Sequence, residues 1–125
     1  MTEIGITLDG KVRQFYAAPH FDDRFNERTK GIELSKSVLN AVYIAKRPDS
    51  LRMVLKHGLR SFYLWDDTNK LVYVIEENSA GGALNILKTV YTSLESEWLL
   101  KWQAMNPKVS RKRFCEVFND DKVFR

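Results

Sequence analysis

Basic side chains and a histidine gather around the middle of the chain, and their chemistry suits the handling of phosphate. Histidine passes protons near neutral pH, and arginine and lysine stabilise charge on phosphate oxygens. His57, Arg60 and Lys88 are therefore candidate catalytic residues for RNA cleavage. Arg47 and Lys56 are candidate substrate contacts. The alternative is that all five are ordinary surface charges, with His57 interacting favourably with the carbonyl end of a helix.

Lys88 occupies the middle of the strand-like run "LNILKTVYTS", where alternation places it on one face with Ile86 and Val90. Two explanations fit a lysine on such an apolar face. It faces an RNA-binding surface on a sheet whose other side carries the core, or it lies on an edge strand, where a charge deters pairing with another chain. The sequence leaves both open.

The elements that must position these residues begin with two hairpins. "EIGITLDGKVRQFYAA" alternates apolar and polar residues around Asp9-Gly10, a dipeptide suited to a two-residue turn. "RSFYLWDDTNKLVYVIEEN" forms the second hairpin, and the run containing Lys88 supplies a third strand beside it. Residues 19–31 are rich in charge and poor in aliphatic side chains, which predicts a solvated loop; if the loop is ordered, Phe21 and Phe25 are its anchors.

Helical spacing of apolar residues predicts four helices. They cover residues 32–47, 48–58, 93–106 and 111–118, with prolines at positions 48 and 107 as breaks and Ser110 as a cap of the last helix. The order predicts an α+β fold: an antiparallel sheet, made of an N-terminal hairpin and a three-stranded central meander, with helices packed on one face. The length of 125 residues predicts a single domain spanning 1–125.

Several classes of function are disfavoured by composition. His20, His57 and Cys115 form no closely spaced ligand pair, so no metal is expected, and "SAGGAL" lacks the lysine of a nucleotide-binding loop, so no cofactor is expected. Cys115 is expected to pack rather than react. The lone cysteine, the absence of a leader-like start and the lack of a long apolar run predict a soluble cytoplasmic protein without membrane contact. The net charge of +4 mildly favours an anionic partner, while the oligomeric state is left undetermined.

The order and spacing of elements from residue 32 to 93 resemble the core of the barnase–EndoU–colicin–RelE group of small metal-independent ribonucleases, which includes phage and toxin forms. The matching parts are "LSKSVLNAVYIAKR", "PDSLRMVLKHG", "SFYLWDDTNKLVYVIEE" and "ILKTVYT". The resemblance implies a helical layer on a curved antiparallel sheet, RNA bound across that sheet, and attack of a ribose 2′-hydroxyl on its own phosphate.

By position, the resemblance implies a role for each matching residue. His57 would transfer protons, and phosphate contacts would come from Arg47, Arg60 and Lys88. Thr89 or Tyr91 would orient or stack the substrate. Many members also carry a histidine early in the first helix, where the helix predicted from residue 32 has Leu34, Ser35 and Lys36 instead.

Two other functions fit the sequence. One is a small non-catalytic interaction protein, of a phage or mobile-element type, that binds and modulates a host protein through anchors such as Trp98 and Trp102. The other is nucleic-acid binding without cleavage through "KVSRKRF", whose cations could contact phosphates. The partner is therefore expected to be RNA or a host protein.

Overall fold

The computed structural model describes residues 2–44, 61–77, 85–93, 96–105 and 112–119. These residues contain six strands and four helices. They are β1 (Thr2–Leu8), β2 (Lys11–Ala17), α1 (Pro19–Arg28), α2 (Leu34–Asn40), β3 (Val42–Ile44), β4 (Ser61–Asp66), β5 (Leu71–Glu77), β6 (Asn85–Thr92), α3 (Glu97–Met105) and α4 (Phe114–Val117).

All six strands belong to one sheet in the order β1-β2-β6-β5-β4-β3. Four of the five pairings are antiparallel, and β2 runs parallel to β6 through Phe15–Asn85, Tyr16–Ile86 and Ala17–Leu87. The α+β class is confirmed, and the prediction of an antiparallel sheet is wrong because the sheet is mixed. A pairing between strands 70 residues apart along the chain leaves no local pattern from which its direction could be inferred.

Both predicted hairpins are present, and local chemistry accounts for their turns. Asp9 and Gly10 have φ angles of 51° and 82°, as a type I′ turn requires. In the second hairpin the Asp66 carboxylate accepts hydrogen bonds from the backbone N–H groups of Thr68 and Asn69 at 3.1 and 3.0 Å. These bonds hold the turn between β4 and β5 in the way that Asp side chains favour.

The largest local correction concerns residues 19–28, which form helix α1 instead of a loop. Pro19 occupies the first turn, where its missing N–H costs no helical hydrogen bond. Phe21 and Phe25, one turn apart, stack at 5.9 Å, and Phe21 is fully buried. These two aromatic anchors were expected from the sequence. Their packing holds a helix whose other positions are mostly polar.

The helix predicted over 32–47 is shorter than expected. It ends at Asn40, and Val42–Ile44 instead form the edge strand β3, which pairs with β4. The β-branched side chains of Val42 and Ile44 are both buried against the sheet, where such residues pack well. The helix predicted over 48–58 lies outside the described residues.

Helices cover both faces of the sheet, so the prediction of helices on a single face is wrong. One face forms the larger apolar cluster with side chains of α1, α2 and α4, including Phe21, Val38 and Phe114. The opposite face forms a second cluster, to which α3 contributes Leu99. The C-terminal helix α4 has only four residues, although Phe114, Val117 and Phe118 are buried as predicted.

Candidate functional site

The seven residues predicted to act on RNA divide into two groups. Arg47, Lys56, His57 and Arg60 lie outside the described residues, so their placement stays a prediction. The other three, Lys88, Thr89 and Tyr91, all belong to β6. Strand β6 is therefore the described part of the predicted site.

A β-bulge in β6 decides where these side chains point. The register with β5 pairs Leu87 with Ile75 and Thr89 with Val74, so Lys88 is the extra residue between two consecutive pairs. As a result, Leu87 and Val90 both face the larger cluster. The alternation expected from the sequence, with Ile86 and Val90 on one face, is therefore broken at the bulge. Bulges commonly re-aim side chains beside functional sites.

Lys88 is exposed and its charge is partly compensated. Its Nζ lies 3.4 Å from Oε2 of Glu76 on β5, and the two side chains are 48% and 43% exposed. An ion pair of this exposure contributes less than about 1 kcal/mol, because water screens both charges. An incoming phosphate could therefore replace the Glu76 carboxylate at little cost.

Helix α1 runs beside β6 along the part of the strand that β2 no longer covers. At its start the N–H of Ala18 donates to the carbonyl oxygen of Leu87 at 3.0 Å. At its end Nη1 of Arg28 donates to the carbonyl oxygen of Val90 at 2.5 Å. The Arg28 guanidinium also lies over the ring of Tyr91, 5.8 Å from its centroid. These contacts fix the helix along the strand at both ends.

The side of α1 next to this contact carries a histidine and two arginines. His20, Arg24 and Arg28 recur at a spacing of four, which places them in one row on a helix. The row borders the buried Phe21 and the partly buried Phe25, and His20 and Arg24 are exposed. We call these three residues, together with Lys88, Thr89 and Tyr91 of β6, the α1–β6 surface.

Two cations of the α1–β6 surface, Arg24 and Lys88, are paired with carboxylates. Arg24 contacts Glu27 at 3.6 Å, and these side chains are 52% and 61% exposed, so the pair is as weakly held as the one formed by Lys88. Thr89 and Tyr91 are half-buried and add hydroxyl groups. Hydrogen bonds from Ala18 and Arg28 join the two elements, and the surface carries guanidinium, ammonium and imidazole groups.

Sequence reasoning missed His20, Arg24 and Arg28 because residues 19–31 were interpreted as a loop. A signal for them was present: a proline at a helix start, two phenylalanines four residues apart, and three basic side chains at the same spacing. The low apolar content of the segment favoured a loop, although the spacing of these residues is typical of a helix.

The aromatic residues of the second hairpin are core residues. Tyr63 and Tyr73 are buried on opposite faces of the sheet, and Trp65 is half-buried against the smaller cluster. Burial, together with the neighbouring Tyr91, raises the pKa of Tyr63 to about 12. These rings therefore give no stacking platform. Tyr91 also packs against the smaller cluster, on the opposite face of the sheet from Phe21 and Phe25, and its ring is contacted by the Arg28 guanidinium.

A second polar cluster lies between α2 and the β4–β5 turn, at the base of an open cavity of about 500 Å³. Ser37 Oγ lies 2.5 Å from Oδ2 of the fully buried Asp66 and 2.6 Å from the hydroxyl of Tyr73. A carboxylate only accepts, so Ser37 donates to Asp66 and accepts from Tyr73. Burial raises the pKa of Tyr73, which keeps its hydroxyl a donor. These hydrogen bonds therefore hold the turn between β4 and β5 against α2.

The basic run near the C-terminus is only partly described. Lys112 is exposed. Arg113 is engaged with Asp67, its Nη1 and Nη2 lying 2.7 and 3.2 Å from the two carboxylate oxygens. It also donates to the carbonyl oxygen of Asn40 at 3.0 Å. Arg113 therefore connects the segment before α4 to the second hairpin.

Within the described ranges, no three His, Cys, Asp or Glu side chains are grouped so as to hold a metal ion. No helix in this part of the chain is both long and apolar enough to cross a membrane. The chain matches no protein-family model, no curated protein and no solved structure.

Proposed function

We propose that the protein is an RNA-binding, metal-independent endoribonuclease that acts at the α1–β6 surface. The observation that carries the proposal is the contact of α1 with β6, where Arg28 donates to the Val90 carbonyl oxygen and lies over the ring of Tyr91. Arg24 and His20 lie one and two helical turns before Arg28 in the same row of α1, and the proposal has them act with Lys88 of β6.

These groups match the needs of RNA cleavage by internal attack. The 2′-hydroxyl of a ribose loses its proton to the imidazole of His20 and forms a bond to the adjacent phosphorus. The bond from phosphorus to the 5′-oxygen breaks, and the leaving oxygen takes a proton from water. The products are a 2′,3′-cyclic phosphate and a 5′-hydroxyl end. Arg24 and Lys88 neutralise the non-bridging oxygens, whose charge grows in the transition state.

Arg28 has a positioning role in this proposal. Its bond to the Val90 carbonyl and its place over Tyr91 keep the end of α1 against β6. Tyr91 and Thr89 then orient the bound nucleotide beside the helix.

The resemblance to the barnase–EndoU–colicin–RelE group covers residues 32–93 and does not include α1. Its matched first helix, from residue 32, lacks the histidine that many members carry there. His20, in the first turn of α1, is therefore proposed independently of the resemblance. His57 was the sequence-based candidate for the same role, so the two histidines are alternatives that substitution can separate.

The test is cleavage of end-labelled single-stranded RNA in the presence of EDTA. The wild-type protein should cleave it, and RNA with a 2′-deoxy substitution at the cleaved position should stay intact. His20→Ala should lower the rate by about a hundredfold or more, since proton transfer typically contributes that much. Asn26→Ala is the matched control, because Asn26 is an exposed polar residue on the opposite side of α1.

The outcomes distinguish the assignments. Loss of activity in His57→Ala with normal activity in His20→Ala would return the proton-transfer role to His57 and refute the site on α1. An absence of cleavage by the wild-type protein at high concentration would refute the nuclease. The non-catalytic interaction protein would then be the better hypothesis.

A further inference from the structure

Strand β1 forms an outer edge of the sheet, and its register shows which backbone groups point outward. The type I′ turn at Asp9-Gly10 makes Leu8 and Lys11 a hydrogen-bonded pair. Because hydrogen-bonded positions alternate along an antiparallel strand, the backbone groups that bond to β2 are those of Leu8, Ile6, Ile4 and Thr2. The N–H and C=O groups of Glu3, Gly5 and Thr7 therefore point away from the sheet.

This edge lacks the features that usually deter strand pairing. The register with β2 is uninterrupted over seven residues, so β1 has no bulge, and its sequence has no proline and a single charge, Glu3. Glu3, Gly5 and Thr7 are exposed. Within the described ranges no strand pairs with the outer side of β1.

Gly5, at the centre of β1, is not required by the fold of one chain. Its φ is not among the positive values. A Cβ at this position would lie 3.5 Å from Val12 Cγ1 and 3.9 Å from Gln14 Oε1, which are ordinary contacts. Glycine weakens a strand interior, and in a strand it often marks the close approach of another backbone. Beside it, Val12 is 50% exposed.

We propose that two copies of the chain pair through β1, antiparallel, around a two-fold axis at Gly5. Gly5 of each copy then faces Gly5 of the other, and Glu3 faces Thr7. The backbone N–H and C=O groups of Glu3, Gly5 and Thr7 then point towards the second copy. Each of these residues donates one hydrogen bond to the opposing residue and accepts one from it. The result is one continuous sheet across the two copies.

The side chains of β1 are complementary to themselves in this register. On one face the Thr7 hydroxyl can donate to the Glu3 carboxylate of the second copy, and the two glutamates lie at opposite ends of the contact. On the other face Ile4 comes beside Ile6, which extends the larger apolar cluster across the contact. Ile4 and Leu8 are only partly buried in one chain, so pairing would cover them.

A contact made of one strand pair is small. It falls below the roughly 1,200 Å² typical of stable complexes, so we expect a reversible dimer with a dissociation constant in the micromolar range or weaker. The proposal does not depend on RNA cleavage, because it uses β1 and not the α1–β6 surface.

The test is sedimentation equilibrium of the full chain, after removal of RNA, from about 10 µM to about 1 mM protein. The wild-type mass should rise towards that of a dimer. Gly5→Lys should be monomeric, because like charges directly opposite in a strand pair repel. Gly5→Glu should be monomeric for the same reason. An equimolar mixture of the two should associate again, since lysine then faces glutamate.

Thr7→Lys gives an independent check, because lysine at position 7 would face Glu3 of the second copy. Its association should be about twofold to fivefold tighter than that of the wild type. Unchanged melting temperatures of the Gly5 variants would show that each single chain still folds. The proposal is overturned by a wild-type protein that stays monomeric, by Gly5 variants that associate as the wild type does, or by a mixture that stays monomeric.

Discussion

The contact between Lys88 and Glu76 makes a quantitative prediction about RNA affinity. If Lys88 binds phosphate, Glu76 competes with the RNA for its ammonium group. At 3.4 Å in a water-like dielectric the attraction is about 1 kcal/mol, and measured exposed pairs contribute about 0.2–1 kcal/mol. Glu76→Gln should therefore tighten RNA binding by up to about fivefold, since 1.4 kcal/mol corresponds to tenfold.

The opposite substitution should act in the opposite direction. Lys88→Ala removes one phosphate contact, so it should weaken binding and reduce the salt dependence by about 0.7 in the slope of log K against log salt. In the Lys88→Ala background, Glu76→Gln should lose most of its effect. Fluorescence anisotropy of a labelled single-stranded RNA at several salt concentrations measures all of these quantities.

A matched control exists on α2. Glu33 lies 3.5 Å from Lys36 in a pair that is also exposed, so Glu33→Gln changes the net charge by the same amount outside the α1–β6 surface. It should change the affinity much less than Glu76→Gln does. Equal effects of the two substitutions would mean that only net charge matters, and the assignment of Lys88 to phosphate binding would be refuted.

Two further predictions concern stability. Ser37→Ala should destabilise the fold by about 1–3 kcal/mol in urea unfolding, since the Tyr73 hydroxyl loses Ser37 as its acceptor and the buried Asp66 carboxylate loses one donor while keeping its bonds from Thr68 and Asn69. Tyr73→Phe should cost about 1 kcal/mol. In the double variant the two effects should be less than additive, and strict additivity would contradict the network. The hydrogen bond from Arg113 lowers the pKa of Asp67, so the stabilisation by this pair should be present above about pH 4 and should disappear as the pH falls through the lowered pKa. Because both side chains are about a third exposed, Asp67→Asn should cost less than about 1 kcal/mol at pH 7, and melting curves from pH 7 to pH 3 should converge with the wild type at the acidic end.

Local patterns predicted the elements whose chemistry is contained in a few neighbouring residues. Asp9-Gly10 specified its turn through the backbone angles that these residues tolerate, and two β-rich runs flanking a turn-forming segment predicted β4 and β5. The strand containing Lys88 was also predicted, but its bulge was not. A bulge depends on the register with β5, and an unbroken run of strand-forming residues carries no mark of it.

Tertiary packing overrode the local pattern in the elements that the sequence did not predict. Residues 19–28 have few apolar side chains, and α1 forms because Phe21 and Phe25 find a place on the core. Residues 42–44 continue a helical spacing, yet they pair with β4 because two β-branched side chains are buried there. In both cases the deciding partner is distant in the sequence.

The candidate site has the same non-local origin. Its helix and its strand are separated by about 60 residues, and they meet because β2 pairs in parallel with β6 for only three residues before the chain turns into α1. That early end of the pairing leaves the edge of β6 beyond Leu87 to α1, whose Arg28 donates to the Val90 carbonyl oxygen. A longer β2 would cover the same edge with another strand, and Lys88 would then lie inside a continuous ladder. The short parallel pairing and the bulge are thus the two features of the sheet that bring α1 beside β6 and leave Lys88 exposed.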